Sequence, residues 1–319
     1  MVRLVSDYKS LNALMRHMRD GGVSIAGGAE KTALAQVGYF HGYKGYRFSG
    51  QPTRRLPLAD FKQLKAVIEF DTQLKTLFYP VLMKTEMTMK NLALVELLDG
   101  AGSSSLAGLF QLMPGGTWDK QKRKLEVMHA CNEALLGCYK RRNQIVCHYY
   151  DSPGGTVPVW ALMEVITLGH FGTLLQEVSD QSRSAIAGRW GLGRRNGGLV
   201  PHLVHTVTSL RNCVAHNGTV FDRRFATATV RADIGQLLSR ELSYGGAIDF
   251  GSITDYFLLL SYLSRRLGAP KRDVYALIRQ YRSVIDGLRS GVPTRVFDMI
   301  VHTDNRAKVN QVEIWLRSV

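Results

Sequence analysis

Residues 199–216 read LVPHLVHTVTSLRNCVAH and set the secondary-structure class expected for the chain. Apolar residues recur there every three or four positions, which is the period of one face of an α-helix. On a helical wheel, one narrow stripe should face a core: Leu203, Val207, Leu210 and Val214. The opposite side carries imidazoles and small polar groups, where a solvated face usually has Lys, Glu and Gln: His205, Ser209, Asn212 and His216. Such a face indicates a functional site or an interface.

The last turn of this helix, RNCVAH, places Arg211 and His216 five positions apart with Asn212 beside the arginine. A guanidinium holds phosphate through a forked set of donors, and an imidazole moves protons near neutral pH. Together these groups suit cleavage of RNA without a metal. The alternative is that His216 only closes the helix, because the following Asn217-Gly218 is a good stop signal. The two interpretations are compatible.

His202, His205, Cys213 and His216 are all residue types that bind zinc. His205 and His216 are separated by about 16 Å along a straight helix, at 1.5 Å per residue. Because zinc holds nitrogen ligands at about 2.0–2.1 Å, one helix cannot bring these two histidines to a single ion. The sequence therefore does not predict a metal site.

The charge and composition of the chain indicate which kind of partner it binds. The chain has 319 residues, 41 Lys and Arg against 26 Asp and Glu, and a formal charge of +15. This excess favours a polyanion such as nucleic acid, although it also serves solubility. No signal peptide and no apolar run of membrane-spanning length is seen, which predicts a cytoplasmic protein without a membrane partner. The four cysteines form no CxxC pair and are expected to be reduced.

Helical spacing dominates the rest of the chain, so we expect an all-α protein. Three regions are predicted: 1–115 with a tyrosine-rich basic loop, 116–230 with the RNCVAH helix, and 231–319. Long helical stretches are expected after Pro57, with Pro80 kinking or dividing the helix, and over 118–150 and 159–178.

Residues 209–225, SLRNCVAHNGTVFDRRF, resemble the signature of the Abi-like abortive-infection proteins (the AbiD/AbiF group), an LRN-x-x-AH helix end followed by N/D-R-x-F. The resemblance covers about Leu11 to Phe225. This chain differs from the family pattern at two positions: it has Asn217 where many members have a second histidine, and Arg47 where they have an aromatic residue. Further segments resemble this family in the same order: YFHGYKGYRF (39–48), Phe70-Asp71-x-x-Leu74-Lys75, Glu86, His148-Tyr149, Pro158-x-Trp160, Glu164 and Phe171-Gly172.

This family is grouped with the HEPN superfamily, so the resemblance implies a HEPN-like helical bundle with additional N- and C-terminal helices. It implies that Arg211, Asn212 and His216 are the catalytic residues of a metal-independent endoribonuclease, a toxin acting in bacterial phage defence without a cofactor. It also implies a homodimer whose motifs face each other, with RNA as substrate and a small non-coding RNA as antitoxin or guide. The alternatives are a non-cleaving protein that binds a structured non-coding RNA, with the motif used in dimerisation, and a helical interaction protein without nucleic acid.

Candidate RNA contacts lie outside the motif as well. In the tyrosine-rich loop, aromatic rings could stack on unpaired bases while basic groups follow phosphates, or the tyrosines could fill space under the loop. These loop candidates are Tyr39, Tyr43, Lys44, Tyr46 and Arg47. The other RNA-binding candidates are Arg141, Arg142, Arg194, Arg195, His205, Arg223 and Arg224.

Two further patterns have competing interpretations. Arg142, Asn143 and His148 repeat an Arg-Asn-x4-His spacing, which is either a second motif, a phosphate contact or a plain helix end. Glu86 and Glu164 lie on apolar helices, and a buried carboxylate needs a partner. We expect either of them to pair with Arg211 or with Arg223-Arg224, in a structural role.

Overall fold

The computed structural model describes residues 10–51, 53–226 and 228–319. These residues form helices and no β-strand, with isolated bridges only at Ser24–Asp60, Phe48–Arg55 and Ser105–Pro158, so the predicted all-α class is confirmed. The helices are α1 (Leu11–Asp20), α2 (Ala29–Val37), α3 (Phe61–Ala101), α4 (Leu106–Gln111), α5 (Trp118–Lys140), α6 (Gln144–Tyr150), α7 (Val159–Val165), α8 (Leu168–Glu177), α9 (Asp180–Arg189), α10 (Val200–Ala215), α11 (Ala232–Glu241), α12 (Ile253–Arg266), α13 (Lys271–Gly291), α14 (Thr294–Val301) and α15 (Asn305–Ser318), together with a π-helical turn (Tyr39–Lys44) and two 3₁₀ turns (Arg194–Leu199, Arg223–Phe225).

Helix α3 is the central element of the fold. Its 41 residues extend for about 60 Å at 1.5 Å per residue. It packs against α9 and α10 from the middle of the chain and against α12 and α13 from the C-terminal part. One buried cluster therefore runs from Leu14 to Leu316. The three predicted regions share this core, and the boundaries at 115 and 230 stay a prediction.

Pro80 does not divide α3, although it lacks the N–H that an interior helical residue donates. The residues around it, Leu77, Phe78 and Leu82, are buried in the core. Their packing holds both halves of the helix in register and offsets the lost hydrogen bond. Of the two expected effects of Pro80, the division of the helix is therefore wrong, and the kink stays a prediction.

Two stretches expected to be long helices are each split. Arg142 takes φ +55 between α5 and α6, and the Asn143 side chain caps α6 by accepting from the N–H groups of Ile145 and Val146 at 3.1 and 3.2 Å. Thr167 caps α8 in the same manner after the extended residue Ile166. Periodicity continues across such breaks, whereas the caps end one helix and begin the next.

Helix α10 lies between α8 and α3. The predicted core stripe is confirmed, because Leu203, Val207, Leu210 and Val214 are all buried. The opposite side of the helix is more open to solvent: Asn212 and His216 are exposed. The burial of one stripe thus directs the polar end of α10 outward.

Candidate active site at the end of helix α10

Helix α10 ends at the predicted motif. His216 is the C-cap and donates its backbone N–H to Asn212 O at 3.0 Å. Asn217 then takes φ +55, a left-handed conformation that asparagine tolerates better than most residues. The Gly218 N–H returns to Cys213 O at 2.7 Å and completes the turn. The His216 side chain is exposed and mounted on a rigid helix end.

Arg211 is held by a carboxylate from α3. Its Nε donates to Glu86 Oε2 at 2.9 Å, and its Nη1 donates to Asn212 Oδ1 at 3.3 Å. Glu86 also contacts Lys90 at 3.3 Å, and Lys90 donates to the Ile166 carbonyl at 2.6 Å. The Arg211 side chain keeps 29% of its surface exposed. This line of contacts fixes the guanidinium and leaves part of it open to a ligand.

The expected pairing of a carboxylate with the motif arginine is therefore confirmed for Glu86. The same expectation was wrong for Glu164, which is exposed on α7 and is not bonded to Arg211, Arg223 or Arg224. The apolar residues of α7 occupy the other sides of that helix, so Glu164 does not need a buried partner.

The segment after the motif is anchored on α3 by Asp71. Its fully buried carboxylate accepts from the N–H groups of Val220 and Phe221 at 2.6 and 2.7 Å and from the Tyr46 hydroxyl at 2.7 Å. Lys75 lies 2.9 Å from the same carboxylate and donates to Asn217 Oδ1 at 2.7 Å. Asp71 thus holds the exit from α10 against α3 at a fixed position.

Tyr79 is exposed on α3 beside the motif. It lies one turn after Lys75, which contacts Asn217, and about two turns before Glu86, which contacts Arg211. Its side chain is 49% exposed. An aromatic ring therefore stands on the face of α3 that meets the end of α10.

A groove of about 650 Å³ begins at Asn212 and follows the polar side of α10. The His205 ring lies against α8 so closely that a Cβ atom added at Gly172 would be 2.7 Å from its Cε1. His202 Nε2 lies 3.0 Å from Arg231 Nη1. The lining includes His202, His205, Thr206, Thr208, Ser209, Asn212, Cys213, Arg224, Phe225, Val230, Arg231 and Tyr256. The three polar residues predicted to share a face with His216, namely His205, Ser209 and Asn212, all line this groove.

The environment of the groove shifts several pKa values. Burial lowers the pKa of His205, and burial followed by the charge of Arg231 lowers the pKa of His202. Burial raises the pKa of the Cys213 thiol to about 11, so this sulfur is a poor nucleophile at neutral pH. No group of three or more His, Cys, Asp or Glu side chains is placed to hold a metal in the parts of the chain that the structure describes.

We expect the protein to lose stability as the pH falls from about 7 to about 5, and His205 to contribute to this loss. Below about pH 6.5 the unfolded chain protonates this histidine, whereas the folded chain resists because the pKa of His205 is lowered. The free energy of unfolding therefore decreases as the pH falls. Urea unfolding of the His205→Gln variant at both pH values should show a smaller decrease than the wild type. The exposed His170 is the control, since His170→Gln should retain the wild-type decrease; equal pH dependence of all three proteins would contradict the assignment.

The tyrosine-rich loop is folded against the core. The Tyr43 and Tyr46 rings are buried, and burial together with Asp71 raises the pKa of Tyr46 far above its usual range. Base stacking by these two rings is not possible in this structure, because both faces are covered, and packing under the loop is the observed role. Lys44 is exposed, and the Arg47 guanidinium lies 5.2 Å from the centre of the Tyr43 ring. The side chain of Tyr39 is outside the described residues.

The remaining basic candidates occupy separate places. Arg141 and Arg142 are exposed at the turn between α5 and α6. Arg194 and Arg195 are exposed before α10, so the length of that helix, about 24 Å at 1.5 Å per residue, separates them from His216. Arg223 is exposed.

Arg224 lines the groove but is already engaged in the structure. It is bonded to Asp222 Oδ2 and to the Gly45 carbonyl, each at 2.6 Å. In the second Arg-Asn-x4-His pattern, the Asn143 side chain is used to cap α6, as at a plain helix end.

Sequence reasoning did not single out Lys75, Tyr79 and Lys90 as parts of this site. A signal was present in their spacing, because Lys75, Tyr79, Glu86 and Lys90 recur on one face of α3. Which face of α3 meets α10 depends on how the two helices cross, and that is not encoded in a local pattern.

The model of a protein family described as Abi-like protein matches residues 32–222. No curated protein and no solved structure matches this chain. Among the described residues, no helix combines the length and the apolar character that a membrane crossing requires. The matched range includes α3, the anchor at Asp71 and the whole RNCVAH motif. The family is named for abortive infection, a bacterial defence against phage, and with more than half of its length matched, this chain belongs to the Abi-like protein family.

Proposed function

We propose that this protein is a HEPN-type, metal-independent endoribonuclease that acts as a cytoplasmic toxin in phage defence. The observation that carries the proposal is the rigid end of α10, where a partly exposed Arg211 and an exposed His216 stand on one helix. Glu86 fixes the arginine and the left-handed turn at Asn217 fixes the histidine. Preorganised groups of this kind stabilise charge where it develops during a reaction.

The chemistry that suits these groups is attack of a ribose 2′-hydroxyl on the adjacent phosphate. His216 would take the proton from the 2′-oxygen or give one to the departing 5′-oxygen. Arg211 would stabilise the negative charge on the five-coordinate phosphate, with Asn212 holding the guanidinium through Oδ1. The P–O2′ bond forms as the P–O5′ bond breaks, leaving a 2′,3′-cyclic phosphate and a 5′-hydroxyl. DNA lacks the 2′-hydroxyl and would not be cleaved.

One imidazole cannot be base and acid at the same moment, which favours two motifs acting together. A homodimer with the ends of α10 facing each other would supply two His216 side chains to one phosphate. The net charge of +15 supports RNA as the partner, as substrate and as a non-coding RNA that controls the toxin.

The second candidate function is a non-cleaving protein that binds a structured RNA. A specific observation favours it: the motif arginine is neutralised by Glu86, and Arg224 in the groove is neutralised by Asp222. Arginines already paired with carboxylates offer less charge to a phosphate and serve well in packing a dimer.

Cleavage of a labelled RNA separates the two functions. The endoribonuclease should cut in EDTA as well as in magnesium, produce cyclic phosphate ends, and leave the DNA of the same sequence intact. Binding without cleavage under both conditions would favour the second candidate. Sequencing RNA that co-purifies at low salt would identify the bound species, since high salt should release it.

We expect the Tyr79→Ala variant to bind single-stranded RNA about tenfold more weakly, because stacking of one base on an aromatic ring is worth roughly 1–3 kcal/mol. The ring stands beside the motif and is 49% exposed, so its loss should not affect folding. Fluorescence anisotropy measures the affinity. The matched control is Tyr79→Phe, which keeps the ring and should bind as the wild type does; an equal loss in both variants would show that the hydroxyl, not stacking, is responsible.

A further inference from the structure

The groove along α10 has two walls of different chemistry. One wall is the polar side of α10, from His205 to Asn212. The other wall is formed by Phe225 and Val230, from the segment after the motif, and by Tyr256 from α12. The volume of about 650 Å³ lies within the range usual for ligand pockets. A planar ligand with apolar faces and a polar edge would match both walls.

A buried hydroxyl in the lining of this groove lacks a partner. Tyr256 is 1% exposed, and its ring packs edge-on against Phe225 with the ring centroids 4.8 Å apart. Its hydroxyl oxygen bonds to no group among the residues that the structure describes. Burial raises the pKa of Tyr256 to about 12, so the hydroxyl keeps its proton at neutral pH and can donate it in a hydrogen bond. A buried polar group without a partner is costly, and a ligand that accepts from this hydroxyl would remove that cost.

The α10 wall has hydrogen-bond donors and acceptors side by side. Ser209 Oγ and Thr208 Oγ1 donate to backbone carbonyls of α10 at 3.2 and 2.7 Å, so toward a ligand their oxygens accept. Asn212 Oδ1 accepts from Arg211, which leaves its amide N–H groups to donate. Burial lowers the pKa of His205, and a neutral imidazole donates from one ring nitrogen and accepts at the other. The edge of a nucleobase carries the same mixture of donors and acceptors.

The charges in the groove lining largely cancel. Arg224 Nε lies 2.6 Å from Asp222 Oδ2, and Arg231 Nη2 lies 2.6 Å from Asp233 Oδ2. Arg231 Nη1 also lies 3.0 Å from His202 Nε2. Because both arginines of the lining are paired with carboxylates, the groove suits an uncharged polar group better than it suits a phosphate.

We propose that this groove binds the base of one unpaired nucleotide, while the phosphate attached to that nucleotide lies at the end of α10. The polar edge of the base would meet the α10 wall and the Tyr256 hydroxyl, and one face would lie on Phe225 and Val230. Asn212 joins the two parts of the site, since it lines the groove and also accepts from Arg211. The groove would thus select which nucleotide is presented to the motif. That this nucleotide belongs to an RNA rests on the proposed function, whereas binding of the base does not require cleavage.

Base preference is the property to measure, because a general loss of affinity would weaken all RNAs equally. Hexanucleotides of A, of C, of U and of alternating G and U compete with a labelled RNA in fluorescence anisotropy. They carry 2′-O-methyl riboses, which cannot attack the phosphate. The wild type should bind the best of them about tenfold or more tightly than the worst, as expected of hydrogen bonds to a base edge. Equal affinities for all four would overturn the proposal.

Two variants assign the preference to the groove. Tyr256→Phe and His205→Leu should each reduce it to about threefold or less, because each removes hydrogen bonds to the base. Tyr256→Phe should resist urea at least as well as the wild type, since the lost hydroxyl has no partner among the described residues. The matched control is Tyr262→Phe on the same helix, whose hydroxyl donates to Glu241 Oε2 at 3.4 Å outside the groove, and which should keep the preference. A preference that survives in both groove variants, or that is lost equally in the control, would overturn the proposal.

The four nucleoside 5′-monophosphates separate two sources of the base. If the monophosphate of the preferred base binds as tightly as its hexanucleotide, the ligand is a free nucleotide; if it binds much more weakly, the ligand is RNA. Both results support base binding, provided that Tyr256→Phe weakens the interaction. Cleavage of RNA without any base preference would overturn this proposal and leave the endoribonuclease intact. A base preference without cleavage would support the groove and contradict the endoribonuclease.

Discussion

Replacing His216 by alanine is expected to lower the rate of RNA cleavage by about 10²–10⁴-fold, the range typical for loss of a group that transfers protons. The imidazole is exposed at the end of α10, so the free energy of unfolding should change by less than about 0.5 kcal/mol. Arg211→Ala should lower the rate by about 10²–10³-fold through loss of charge stabilisation. Glu86 would keep its contact with Lys90 in that variant, which preserves the fold.

Two controls make this result specific. His148→Ala alters the second Arg-Asn-x4-His pattern and should leave cleavage unchanged, because Asn143 there caps a helix. Arg211→Lys retains a positive charge but not the forked donors, and should remain well below the wild-type rate. Single-turnover rates on one labelled RNA, with urea unfolding in parallel, measure both effects. Wild-type cleavage by folded His216→Ala protein would refute the proposed role.

Replacing Asp71 by alanine is expected to lower the free energy of unfolding by about 3–5 kcal/mol. Its carboxylate is fully buried and accepts hydrogen bonds from Val220, Phe221 and Tyr46, and it lies 2.9 Å from Lys75. Removing it leaves these donors unpaired in the interior and leaves the lysine without its carboxylate. Each effect is costly because the groups cannot regain water without unfolding the segment.

The same variant should also disturb the motif. Asp71 and Lys75 together fix the chain just after His216, so residual folded protein should cleave RNA more slowly than the wild type does. Denaturation in urea measures the stability. The control is Glu69→Ala on the exposed side of α3, whose contact with Lys65 lies at the surface and should contribute less than about 1 kcal/mol. A similar small effect at Asp71 would show that the anchor is not structural.

Much of the local structure could be predicted because it depends on neighbours in the chain. The buried stripe of α10 and its end at Asn217-Gly218 followed from periodicity and stop signals. Helix α14 (Thr294–Val301) was not predicted, since its eight residues make only about two turns, too few for a helical period to stand out. The divisions between α5 and α6 and between α7 and α8 were missed, because the apolar period continues across each break and only the capping residues mark it.

The helical class and the two faces of α10 could be predicted from the sequence alone, since each depends on spacings of three and four positions. The partners of the motif were settled only by the fold. Arg211 meets Glu86 from 125 positions away, and Asp71 meets Val220 from 149 positions away. Such contacts depend on where α3 crosses α10, which follows from the packing of the whole core. The same packing buried Tyr43 and Tyr46, which the sequence offered for base stacking, and left exposed Tyr79, which the sequence pattern did not single out.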